Sequence, residues 1–125
     1  MRAMSFMLTT EQMRNRTKTV TRRLGWNHLK PGDRIIAAVK CQGLGKGGKR
    51  EDICVIEVVS MRKEPLNRLQ KDMKYGFSET TLEGFPEGSP KHWPSEFVSM
   101  FCDSMKCDPD AIVNRIEFKY VEPHA

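Results

Sequence analysis

Arg16-Thr17-Lys18-Thr19-Val20-Thr21-Arg22-Arg23 packs four cations and three hydroxyls into eight residues, with no glycine or proline among them. Threonine and valine favour strands. Extended, the stretch alternates, with Lys18 and Val20 on one side and Thr19 and Thr21 on the other. Two readings are open: a solvated edge strand, or a strand that aims polar side chains into a pocket. In the second, Arg16, Arg22 and Arg23 bind a ligand, and the nearby Trp26 packs a turn or lines a cleft.

Composition limits what the stretch can serve. The chain has 125 residues, the size of one domain spanning 1–125. It is 38% hydrophobic and 30% charged with the signs well mixed, which suits a modest core rather than a disordered polyelectrolyte. A net charge of +5 favours polyanionic partners. Cys41, Cys54, Cys102 and Cys107 form no Cys-x-x-Cys, and no histidine lies at zinc-finger spacing from them. They are read as reduced thiols, with no metal and no cofactor. The start, residues 1–8, has no signal-peptide pattern. No apolar run approaches the roughly 18 residues of a membrane helix. The expectation is a cytoplasmic protein with no membrane partner.

Around the basic stretch, the pattern predicts a short strand over 5–8 and a helix capped by Thr9 or Thr10 that ends near Asn15-Arg16. Lys30-Pro31-Gly32-Asp33 is a turn. The apolar run in 34–40 is a strand covered on both faces. Residues 42–50, with four glycines and three cations, form a basic hairpin loop or a phosphate-contacting flap, and lack the Walker A pattern. Residues 52–61 are a strand with Glu57 either exposed or paired with a cation such as Arg34. A short helix is predicted over 66–73 and a loop-rich segment over 75–93, with one helical turn at 80–83 ended by Gly84 and Pro86. Phe97, Val98, Phe101 and Met105 recur at helical spacing after Pro94. Residues 113–121 alternate as a closing strand, and 123–125 are a tail. The sum is a small α+β domain.

Three motifs in order then carry a resemblance. They are Lys18-Thr19-Val20-Thr21-Arg22-Arg23 with Trp26 and Leu29-Lys30-Pro31-Gly32-Asp33-Arg34; Glu83-Gly84-Phe85-Pro86; and Phe97-Val98-Ser99-Met100-Phe101. Together they resemble the ASCH family, a branch of the PUA-like β-barrels, and within it the short phage and prophage type. The resemblance implies a PUA-like β-barrel with short helices packed around a mixed sheet, and a cleft between sheet and helices. It also implies a protein that handles RNA or a modified nucleoside. Some ASCH-like enzymes deacetylate N4-acetylcytidine; carried over by motif, Lys18 is the base, Thr21 the nucleophile and Glu83 the proton donor. Glu79 and Glu64 are further candidates for the acid. A non-catalytic RNA-binding module, using Arg14, Arg16, Lys18, Arg22, Arg23 and Trp26, is a second implied role. A metal-independent ribonuclease using Lys18, Glu83 and Arg22 is a third.

The amidohydrolase reading sets conditions. A threonine hydroxyl needs a base. Lysine serves only if burial or neighbouring cations, here Arg22 and Arg23, lower its pKa. Lys18 and Thr21 are three apart, so on a regular strand they face opposite sides. They cooperate only if the chain bends between them or the helix end continues through Lys18. A small-molecule enzyme further predicts a closed pocket lidded by Trp26 or Phe85, whereas an RNA binder predicts an open basic groove. His28, His92 and His124 have no partner pattern and are assigned no role.

Overall fold

Strand-forming runs assemble into one mixed sheet in the computed structural model, which describes residues 1–123. The strands are β1 (Ala3–Ser5), β2 (Val20–Arg23), β3 (Arg34–Ala38), β4 (Asp52–Pro65) and β5 (Ile112–Tyr120), in the order β1-β3-β4-β5-β2. β1 runs parallel to β3, and the other pairs are antiparallel. The β4–β5 ladder holds the sheet together, and its register shifts between Val58 and Ser60, a bulge that adds local twist. The sheet curls. Arg23, ending β2 on one edge, places its guanidinium carbon 4.7 Å from the ring centre of Phe6, which follows β1 on the other edge.

β5 divides the molecule into two cores because its side chains alternate. Ile116 and Phe118 join Met4, Phe6, Met13, Ile35, Ile56 and Val58 inside the curled sheet. Val113 faces the helices and packs with Leu66, Leu69, Phe85, Phe97, Val98 and Phe101. The predicted alternation of 113–121 is therefore right, but in its first half both faces are covered: Val113, Asn114, Arg115 and Ile116 are all buried.

Among the described residues, four α-helices join the sheet: α1 (Thr10–Arg14), α2 (Arg68–Lys71), α3 (Met73–Leu82) and α4 (Pro94–Met105). Proline at the first position of α4 costs no hydrogen bond, and Lys106 ends it in the left-handed conformation. None of the helices among the described residues is long and apolar enough to cross a membrane.

Several expectations are corrected. The opening strand is Ala3–Ser5 rather than 5–8; Met7–Thr9 is a 3-10 turn that leaves Met7 and Leu8 exposed. β4 runs on to Pro65, four residues beyond the predicted 52–61, because the second core covers its far end. The helix expected over 66–73 is only the four residues of α2. The segment read as loop-rich holds the ten-residue α3, which the one predicted turn at 80–83 underestimates. The misleading residue is Gly76. It sits in the helix because a Cβ there would lie 2.1 Å from the Leu69 carbonyl oxygen and 2.7 Å from Pro94 Cγ. It marks close packing of α3 against α2 and α4, not a break. Asp72 caps the helix by accepting from the Tyr75 amide at 3.1 Å. Glu57 takes the paired alternative, accepting from Arg34 Nε at 3.1 Å with Lys119 nearby. Of the tail, His124 and Ala125 lie outside the described residues.

Gly76→Ala tests the close approach. A methyl facing backbone and a proline ring cannot be absorbed by a rotamer change, so a loss of about 2 kcal/mol or more is expected, where an exposed helical glycine would gain stability. Urea unfolding reads the difference.

Candidate active site

Three unrelated pieces of backbone bring the polar residues together. After α1, Arg16 adopts φ 62° and turns the chain. The Thr17 amide then bonds the Gln12 carbonyl at 2.9 Å, the Lys18 carbonyl accepts from Tyr120 Oη at 2.6 Å, and the Thr19 amide reaches the Leu82 carbonyl at 2.9 Å. Lys18 is thus fixed before β2 begins at Val20. It escapes the strand alternation that would have set it opposite Thr21, and both residues line one cavity.

Glu83 arrives from the end of α3. The Gly84 amide bonds the Thr81 carbonyl and the Phe85 amide the Thr80 carbonyl, the paired pattern of a Schellman cap. Gly84 takes φ 102°, where a Cβ would lie 2.7 Å from Gln12 Cγ and 3.4 Å from Lys18 Cβ. Glycine therefore lets the helix end press against the α1–Lys18 segment, and Glu83 enters the interior.

There the charges interlock. Lys18 Nζ donates to the Glu83 carbonyl at 2.9 Å and to Glu83 Oε1 at 2.6 Å. Arg22 donates to Glu83 Oε2 at 2.9 Å, Glu79 Oε1 at 2.6 Å and Glu64 Oε2 at 3.1 Å. Arg115 from β5 closes on Glu79 with a two-point contact, Nη2 to Oε2 at 3.0 Å. Tyr75 Oη donates to Glu64 Oε1 at 2.7 Å and accepts from Arg62 at 2.6 Å. Lys18, Arg22, Arg115, Glu64, Glu79 and Glu83 are all buried, so three cations face three carboxylates. Such a set is tolerable inside a protein only when each charge is paired. Arg22 Nε is its one buried polar atom without a partner among the described residues.

The network polarises its members differently. Burial alone would raise the Glu79 carboxyl, but its bonds from Arg115 and Arg22 hold it below the ordinary value. Burial would likewise raise the Glu64 carboxyl, but the Tyr75 and Arg22 contacts overcome this and hold it below the ordinary value. For Arg22, the desolvation that would lower it is outweighed by Glu83, Glu79 and Glu64, so its proton is held more firmly. Lys18 goes the other way. Burial pushes its amine below the ordinary value, Glu83 only partly opposes this, and Arg23 and Arg22 add to the depression.

The cavity has a volume of about 160 Å³. Its polar end is Lys18, Thr21, Arg22, Arg23 and Glu83; its walls are the rings of Phe6, Phe85, Phe97 and Phe101 with Met100 and Met105. Thr21 is buried and its Oγ1 accepts from Arg23 Nε at 3.1 Å. Five of the predicted residues thus meet, and Phe85, buried in the second core, lines the wall. Trp26 does not line this cavity. It takes φ 67°, packs against the sheet core and carries the Arg2 guanidinium 4.3 Å above its ring. Arg16 is also elsewhere, paired with Glu122 at the surface. Glu79 and Glu64, the alternative acids, are taken up by arginines. Arg115 and Tyr75 were missed; Arg115 falls among Glu117 and Lys119 in the alternation and reads as a solvated residue, though its neighbour Val113 on the same face signals burial.

No family model and no curated protein matches this chain. Solved structures do. An ASCH domain from Lactobacillus crispatus superposes with a TM-score of 0.54 at 19% identity, covering 90% of this chain and 70% of that one. An Enterococcus faecalis protein of the DUF984 family gives a TM-score of 0.54 at 16% identity, covering 94% of this chain and 75% of that one. The chain has the α+β fold of ASCH domains.

Glu79→Ala leaves Arg22 and Arg115 buried without their shared carboxylate, and a loss of about 3–5 kcal/mol in urea unfolding is expected. The pH dependence has a fixed sign. Glu79 and Glu64 are held lower in the folded chain than unfolded, so their contribution is full above the ordinary value of 4.5 and is lost as the pH falls through the folded values. The acid limb of stability against pH is accordingly shallower in Glu79→Ala than in the wild type.

Proposed function

We propose that this protein is an amidohydrolase acting on an N-acylated nucleoside of the N4-acetylcytidine kind, with Thr21 as nucleophile, Lys18 as base and Glu83 as its proton partner. The observation that carries the reading is the meeting of Lys18, Thr21 and Glu83 at the polar end of one partly open cavity, with the Lys18 amine pushed toward its neutral form. A neutral amine has two N–H groups and one lone pair. Glu83 offers two acceptors to Nζ, which leaves the lone pair to take a proton. The Arg23 N–H on Thr21 Oγ1 favours the deprotonated oxygen.

Thr21 Oγ attacks the acyl carbon and its proton passes to Lys18 Nζ. The carbon–nitrogen bond breaks, and the Lys18–Glu83 pair returns that proton to the leaving amine across the 2.6 Å contact. Water then hydrolyses the acyl-threonine ester, giving up its proton through Lys18 and restoring the hydroxyl. Glu83 accepts from both Lys18 and Arg22 at rest, so it enters as a carboxylate and donates only a proton received from Lys18.

An open RNA-binding groove has less support. Arg22 is spent on glutamates inside the molecule, Arg14 and Arg16 are paired with Glu51 and Glu122, and Trp26 faces away from the cavity.

Chromatography after incubation with N4-acetylcytidine tests the proposal. Wild type is expected to release cytidine; Lys18→Ala and Thr21→Val are expected to fall by roughly 10²-fold or more. The base must be neutral, so the rate rises with pH through a transition below the ordinary lysine value of 10.5. No release by wild type at high enzyme concentration removes this substrate and turns attention to RNA binding and cleavage.

A further inference from the structure

Arg23 is the charge at the polar end that the network does not absorb. Lys18, Arg22 and Arg115 are matched by Glu64, Glu79 and Glu83. Among the described residues, Arg23 meets no carboxylate, and its only side-chain hydrogen bond is from Nε to Thr21 Oγ1. Its guanidinium is nonetheless held: Thr21 fixes Nε, and the Phe6 ring lies 4.7 Å from Cζ. Neither terminal nitrogen is an enclosed atom lacking a partner, so both retain access at the cavity that Arg23 lines. Burial lowers its pKa to about 10, opposed by Glu83, which leaves it cationic at neutral pH.

We infer that Arg23 is an anion-recognition residue, whose terminal N–H pair receives two oxygens of a phosphate or carboxylate carried by the ligand. A planar fork pinned through Nε presents its remaining edge to such a group at little cost in conformational freedom. The neighbouring arginine has no such role: Arg22, occupied by three glutamates, is a structural cation, although the two are adjacent in sequence. Resting on the nucleoside reading above, the inference makes the preferred ligand a nucleotide rather than a neutral nucleoside.

Calorimetric titration of the full chain at constant ionic strength tests it without turnover. Cytidine 5′-monophosphate is expected to bind at least about tenfold more tightly than cytidine. Arg23→Gln is expected to remove that difference, and Arg23→Lys, which keeps the charge but not the fork, to recover part of it. Inorganic phosphate and acetate, titrated alone, say which anion the fork prefers; saturable binding of either supports the inference. A thermal shift of the wild type in phosphate against chloride of equal ionic strength gives the same answer with no variant that must fold. Equal affinity for nucleotide and nucleoside, a preference that survives in Arg23→Gln, or absence of binding by both small anions overturns it. Anion binding without deacetylation would remove the amidohydrolase reading and leave this one standing; deacetylation without anion preference would do the reverse.

Discussion

The Glu83 carboxylate shared between Lys18 and Arg22 is the contact on which the interior depends. One oxygen takes the lysine at 2.6 Å and the other the arginine at 2.9 Å. Sharing matters energetically. A lysine and a glutamate buried as an exclusive pair would hold each other charged. Here Arg22 draws on the same carboxylate and adds its own repulsion, so Glu83 stabilises the ammonium too weakly to offset burial. The one amine in the cluster that is depressed is the one beside the cavity, while the deeper arginine is held protonated.

The fold is arranged to make this sharing possible. β2 carries Arg22 into the space between sheet and helices, and β5 beside it supplies Arg115 from the face that also bears Val113. α3 then delivers Glu79 from its body and Glu83 from its cap, four residues apart and so on one face. Glu64, from the far end of β4, reaches Arg22 only because that strand continues past its bulge. Each carboxylate therefore comes from an element that packs in its own right, and the ion network locks elements already brought close by Leu66, Leu69, Phe85 and Val113. Buried ion pairs seldom add net stability over apolar packing, but removing one partner is costly. The network thus acts chiefly as a constraint on which arrangement of helices against sheet is allowed.

Much of this was legible in the sequence, and the gaps have physical causes. Strands β3, β4 and β5 and helix α4 follow from apolar periodicity, because their side chains pack at regular spacing. α3 was hidden because its surface is mixed and Gly76 sits within it, where tight contact with Leu69 and Pro94 demands the absence of a side chain. The Lys18–Thr21 relation illustrates the same limit. Strand alternation sets them on opposite sides; the tertiary bonds to Gln12, Tyr120 and Leu82 that hold Lys18 outside the pleat involve residues up to 102 positions away. Trp26 takes the turn-packing alternative for a related reason. A positive φ turns it onto the sheet core, and nothing local to Gly25-Trp26-Asn27 announces that.

Adjacent arginines acquire different duties from alternation alone. Arg22 and Arg23 follow one another on β2, so their side chains leave on opposite faces. Arg22 enters the helix-side layer, where the glutamates of β4 and α3 consume its donors. Arg23 turns toward Phe6 and the curled interior of the sheet, where the packed side chains are apolar and no carboxylate among the described residues touches it. Thr21, on the helix-side face's opposite register, is close enough to Arg23 through the i,i+2 relation to accept from its Nε. A cation outside the balanced network, with a hydroxyl beneath it and an apolar cavity in front, touches no carboxylate among the described residues. Its countercharge must come from solution or from what the cavity binds.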